Sequence, residues 1–147
     1  MALIRGFSRV DEAGKIKIPG NIQRCMGLEE GRTVLLMALR IQQTSRYPHA
    51  VLFVPSNPPK LSQFEVIMDK AHAIVESDGK ITIPSNILEE MRLGKDYRIE
   101  MKVQGPHNKH WLVLYNRGPW RETTLRKRMG VKRGDQKKSL KTQVWDY

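Results

Sequence analysis

His107 and His110 stand three residues apart in GPHNKH, a spacing at which two imidazoles can share a metal ion, and Cys25 is the one thiol in the chain. Neither carries far as chemistry. A zinc site needs three or four ligands, and these histidines sit in a polar stretch with turn residues and no third ligand, so they read as solvent-exposed loop residues. Cys25 falls mid-helix with no histidine or acid placed beside it, and reads as a small core or boundary residue rather than a nucleophile. The sequence holds no Gly-rich phosphate loop, no HExxH and no nucleophile elbow. No catalytic residue, metal ligand or cofactor is assigned, and the chain does not read as an enzyme.

The chemistry that remains is cationic. The 147 residues include 26 Lys/Arg and 15 Asp/Glu, a formal net charge of +11. Such an excess implies an anionic partner, with nucleic acid ahead of an acidic membrane surface or an acidic protein. The charge is uneven: residues 1–118 hold 17 Lys/Arg against 12 Asp/Glu, 17 − 12 = +5, and residues 119–147 hold 9 against 3, 9 − 3 = +6. The last segment has few aliphatic residues and no sustained period, so it reads as a short helix over 123–129 followed by a mobile basic tail outside the core. Arg126, Lys127, Arg128, Lys132 and Arg133 are its candidate contacts to nucleic acid or to a protein partner. Trp120, Trp145 and Tyr147 suit docking or base stacking better than solvation. A single cysteine excludes an intramolecular disulfide and fits a reducing compartment. With no signal-peptide run and no apolar stretch long enough to span a bilayer, the expectation is a cytoplasmic protein without a membrane partner.

The elements that must position these cations are written twice. GKIKIPGNI at 14–22 returns as GKITIPSNI at 79–87, an offset of 79 − 14 = 65. Without a gap, that offset matches Val10, Gly14, Lys15, Ile16, Ile18, Pro19, Asn21, Ile22, Met26 and Leu28 with identical residues 65 positions on. Ten identities within 25 residues mark an internal repeat. In each copy a strand (8–10; 73–76) meets a turn, DEAG or ESDG, in which glycine tolerates positive φ. A second strand alternates isoleucine with polar residues, burying one face. Proline closes that strand and opens a helix over 20–26 or 85–91, whose isoleucine and methionine lie four apart on one face. Two further apolar segments follow in each copy, separated by polar loops, and predict a hairpin.

The unit is therefore β-β-α-β-β, spanning residues 5–55 and 73–118. Residues 56–72 form a linker whose SQFEVIMDK reads as a capped helix or an extended connector. A half of about fifty residues makes a marginal core, so the two copies are expected to share one. The predicted fold is mainly β: a closed β-barrel built as a single-chain pseudo-dimer.

VDEAGKIKIPGNIQRCMGLEEGRTV, and more loosely ESDGKITIPSNILEEMRLGKDYRI, resembles the AbrB/MazE/SpoVT family of swapped-hairpin barrels. Having both copies in one chain is similar to the MraZ branch, and the similar regions cover about residues 5–117. The resemblance implies a cytoplasmic DNA-binding protein of AbrB type acting in transcription regulation. In the family, basic residues around the first strand, the turn and the helix start touch DNA. Carried over, these are Arg9, Lys15 and Arg24, with Arg5 and Lys17 nearby and Lys80 in the second copy. The second copy departs from the pattern: Arg9 becomes Ile74, Gln23 and Arg24 become Leu88 and Glu89 followed by Glu90, and Met91-Arg92 replaces the Leu-Gly helix end. Gln23 itself departs from the arginine that the MraZ branch places there. Duplex DNA is the partner this reading favours, with self-association and a protein partner for the tail left open. Two other classes stay beside it: an adaptor that self-assembles or docks on a larger complex, and an antitoxin-like module, whose tail would more typically be acidic or apolar.

Overall fold

The computed structural model describes residues 4–41 and 48–119. It is mainly β and antiparallel, with strands β1 (Arg5–Arg9), β2 (Lys15–Lys17), β3 (Thr33–Ile41), β4 (His49–Phe53), β5 (Glu65–Ile74), β6 (Lys80–Thr82), β7 (Tyr97–Gln104) and β8 (Trp111–Pro119). Two short helices complete it, α1 (Gly20–Met26) and α2 (Ser85–Met91). Six strands form one sheet in the order β1-β7-β8-β4-β3-β5, and β2 pairs with β6 in a separate ribbon.

The pairing joins the repeats throughout. β1 of the first copy pairs with β7 of the second, and β5, which runs from the linker into the second copy, pairs with β3 of the first. β2 pairs with β6 and β4 with β8; only the hairpins β3–β4 and β7–β8 stay within one copy. Backbone bonds outside the ladders follow the same exchange. The Val10 N–H donates to the Tyr97 carbonyl at 2.9 Å and the Val75 N–H to the Arg32 carbonyl at 2.9 Å. Likewise the Ile18 N–H donates to Gly79 O at 3.0 Å, and Ile83 N–H to Gly14 O at 2.9 Å. The donors of each pair are 65 residues apart, and so are the acceptors.

Alternation along the strands sorts the side chains. Ile16, Ile18, Ile81 and Ile83 join Ile22, Ile87, Leu36 and Leu52 in one core beneath the sheet, each no more than 2% exposed. Burying each such side chain is worth roughly 2 kcal/mol against leaving it in water, and both copies contribute to this one cluster. β3 and β4 are apolar on both faces because both are covered. Met37, Leu39, Val51 and Phe53 form a second cluster on the outer face, against Leu35, Trp111 and Leu61 of the linker.

One expectation is corrected and two readings are refined. The closed barrel is not found: the six-stranded sheet leaves β1 and β5 as its two end strands. Pro19 and Pro84 lack the N–H a ladder needs, and the ribbon they follow is three residues long. One backbone bond per turn, Asp11 N–H to Lys15 O and Glu76 N–H to Lys80 O, joins it to the chain before it, too few for a ladder. Of the two alternatives for the second half of the linker the chain takes the extended one, not the helix: it is the start of β5, which runs along β3 with a bulge between Ala38 and Leu39. The second helix does not end differently from the first. Gly27 and Arg92 occupy the same left-handed position, φ 65° and 57°, and the next N–H in each, Leu28 or Leu93, reaches back at 2.9 Å to the carbonyl of Gln23 or Leu88. This is the Schellman closure.

Candidate nucleic-acid interface

The β2–β6 ribbon is the smallest sheet and the most charged. Ile16 opposes Ile81 at its centre, facing the core, so the flanking pairs Lys15↔Thr82 and Lys17↔Lys80 face outward. The 65-residue offset relates Lys15 to Lys80 and Lys17 to Thr82, so an approximate two-fold axis passes between the isoleucines. Glycine is required just before each ribbon strand. Gly14 and Gly79 have φ of 77° and 72°, and each faces the helix of the other copy. A Cβ on Gly79 would lie within the Gln23 side chain, and one on Gly14 would stand 3.1 Å from Leu88 Cδ1.

Gln23 and Leu88 are thus inter-repeat packing residues, and Gln23 Nε2 donates to the Ile18 carbonyl at 2.5 Å. Both are half-buried there, and their difference goes with the packing of the glycine turn each one faces.

The cations of the ribbon are not equivalent. Lys15 Nζ donates to Glu76 Oε1 at 2.7 Å, while Thr82 Oγ1 donates to Glu76 Oε2 at 2.6 Å. The bond to Glu76 raises the Lys15 amine above its usual value, and the bond from Lys15, with help from Thr82, holds the Glu76 carboxyl below the carboxylate range. Asp11 is lowered in turn, chiefly by the Lys15 N–H and also by that of Ala13, both donating to its Oδ1. Lys17 and Lys80 stand directly opposite one another, both exposed. Like charges in that position destabilise a ribbon.

Beside the ribbon lies an open cleft of about 430 Å³, whose walls include Arg9, Lys15, Lys17, Lys80 and Lys95. Acids line it as well. Lys95 Nζ is 3.1 Å from Glu12 Oε1 and Arg9 Nε is 3.9 Å from Asp96 Oδ1, so the cations are held in place but partly neutralised.

Of the residues read from the sequence, Arg9, Lys15, Lys17 and Lys80 come together here. Arg5 and Arg24 do not line the cleft. Arg5 is on the outer face of β1, 3.9 Å from Glu100, and Arg24 lies exposed on α1 with its guanidinium folded back toward Gly20. Arg126, Lys127, Arg128, Lys132, Arg133 and the expected helix over 123–129 fall outside the described residues. Sequence reasoning missed Lys95, because the repeat aligns it with the acid Glu30, and Lys102, whose strand position gains meaning only from its pairing with Arg5. His107 is exposed and His110 partly buried in the β7–β8 loop; among the described residues no group of three or more His, Cys, Asp or Glu is placed to hold a metal ion. No described helix is long and apolar enough to cross a membrane.

No protein-family model matches the chain, and no curated protein is significantly similar to it. Among solved structures it is similar to the solution structure of PHS018 from Pyrococcus horikoshii, at 16% identity and a TM-score of 0.41, over 82% of this chain and 100% of that one. That likeness is too slight to bear on fold or function.

Proposed function

We propose that this chain is a duplex-DNA-binding protein of AbrB type, acting in transcription regulation, whose β2–β6 ribbon meets a groove of the duplex. The observation that carries the proposal is the pairing of Lys17 with Lys80: two exposed amines from different repeats, set directly opposite each other at a cost in stability. A row of phosphates offsets that repulsion. The major groove is wide enough for a two-stranded ribbon, and Arg9 and Lys95 on the cleft wall flank the ribbon where backbone phosphates would pass. The exchange of strands between the repeats supports a swapped-hairpin pseudo-dimer, with the ribbon on its two-fold axis suited to a two-fold symmetric ligand.

Fluorescence anisotropy with the full chain and a labelled duplex tests this. Binding should weaken steeply with salt as counterions are released. Lys17→Ala with Lys80→Ala should reduce the magnitude of the log–log salt slope by about 1.8, or about 0.9 for each phosphate that is no longer neutralised. Absence of duplex binding at low salt would exclude the proposal.

A further inference from the structure

A second cationic surface lies on the opposite face of the large sheet, and its centre is an aromatic ring rather than a ribbon. Within β1, Gly6 and Ser8 are committed inward. A Cβ on Gly6 would stand 2.6 Å from the Pro19 ring, and Ser8 Oγ accepts the Lys17 N–H at 3.0 Å. Alternation then sends Arg5, Phe7 and Arg9 to the outer face, where Phe7 is 62% exposed. The register with β7 sets Lys102 opposite Arg5, Glu100 opposite Phe7 and Arg98 opposite Arg9, so two more like-charge pairs bracket the ring. Glu100 is buried and committed: its Oε1 accepts from Arg117 Nε at 2.8 Å and lies 2.6 Å from Nη2. Lys102 and Arg117 both lie over the Tyr115 ring, at 5.2 and 5.0 Å from its centroid, which occupies that ring and fixes the two cations beside the patch. Arg9 lies at the rim, where with Asp96 it also lines the ribbon cleft; the other four cations, against Glu100 and the Glu65 that acts on Tyr115, leave this face at 4 − 2 = +2.

We infer that this face binds single-stranded nucleic acid, with Phe7 stacking on one base and Arg5 and Lys102 neutralising phosphates beside it, while Arg117, held by Glu100, keeps the Tyr115 ring and Lys102 in place. An exposed ring set among cations matches the two parts of a nucleotide, a π-face and a phosphate. In a duplex each base face is already covered by its neighbours, so the ring has a stacking partner only in an unpaired strand. From Arg5 to Arg9 the strand runs about 13 Å, long enough to hold phosphates on both sides of a stacked base. The inference goes beyond duplex binding by the ribbon and does not depend on it.

The test uses the full chain with a labelled single strand of about 12 nucleotides and the blunt duplex of the same sequence, at constant salt. Phe7→Ala should lower single-strand affinity by about 5- to 150-fold, the worth of one base stacked on an aromatic ring, and change duplex affinity less than about twofold. Phe7→Trp should restore single-strand binding. Lys17→Ala with Lys80→Ala should show the converse pattern, so either site can fail while the other stands. If Phe7→Ala is poorly folded by its melting curve, Arg5→Ala with Lys102→Ala carries the test: weaker single-strand binding and a salt slope reduced by about 1.4, or 0.7 per phosphate. No single-strand binding by the wild type, or an equal loss for both ligands in the Phe7 variant, would overturn the inference.

Discussion

Lys15, Glu76 and Thr82 show how one residue's chemistry is set by a neighbour 61 positions away. The Lys15 amine is raised and the Glu76 carboxyl lowered, so the sign of their effect on stability differs at the two ends of the pH scale. A lowered carboxyl stabilises above its ordinary range and loses that contribution as pH falls through its folded value. A raised amine stabilises below its ordinary value and loses that as pH climbs through its folded one. Both partners are about a third open to solvent, 35% each, so screening keeps the effect modest. Urea midpoints of wild type and Glu76→Gln should therefore differ by a constant amount between about pH 6 and 9 and converge toward acid and alkali. A gap that persists at low pH would mean that the glutamine disturbs packing rather than charge. Gly79 sets a second residue-scale constraint. Gly79→Ala meets both a left-handed φ and the Gln23 side chain, and should cost about 1–2 kcal/mol, read as a lower denaturation midpoint. An unchanged midpoint would show that the turn relaxes without difficulty.

At the scale of elements, the two helices present a natural comparison. Both end in a left-handed residue, yet one uses Gly27 and the other Arg92. The Asn116 amide donates to the Met91 and Arg92 carbonyls at 2.9 and 3.3 Å, anchoring the end of α2 to β8 and holding Arg92 in its strained conformation. Arg92→Gly should raise stability by about 0.5–1 kcal/mol, the left-handed penalty less the extra freedom glycine has when unfolded. A loss on thermal denaturation would mean that the arginine side chain contributes more than its backbone strain costs. This is also where legibility ended. The glycines, prolines and alternating isoleucines announced the turns, the helix starts and the short strand of each copy, since each reflects a local rule. Arg92 at a glycine position obeys no local rule, and VIMD in β5 fits helix or strand until β3 is there to pair with it. The opposition of Lys17 to Lys80 depends on which copy β2 pairs with, and 65-residue spacing does not say.

For the whole molecule, exchanged strands make one core from two repeats. Ile16→Ala, buried opposite Ile81, should cost about 2–5 kcal/mol and lower the hydrogen-exchange protection of β3 and β7 together, although those strands belong to different copies. Loss confined to one repeat would mean the halves are separate units. The mainly β, antiparallel character was legible in the repeat, but the closed barrel was not formed: the sheet left its ends open, because three-residue strands stopped by proline cannot complete a ladder. The same exchange builds the proposed interface by bringing Lys17 of one copy against Lys80 of the other. The most direct test of that interface is a melting series on the wild type and on Lys17→Ala with Lys80→Ala, each with and without duplex DNA. Repulsion retained for binding predicts opposite signs. The variant should melt about 1–5 °C higher than wild type alone and gain distinctly less than wild type from the duplex. A variant that melts no higher, and gains as much from DNA as the wild type does, would contradict the account.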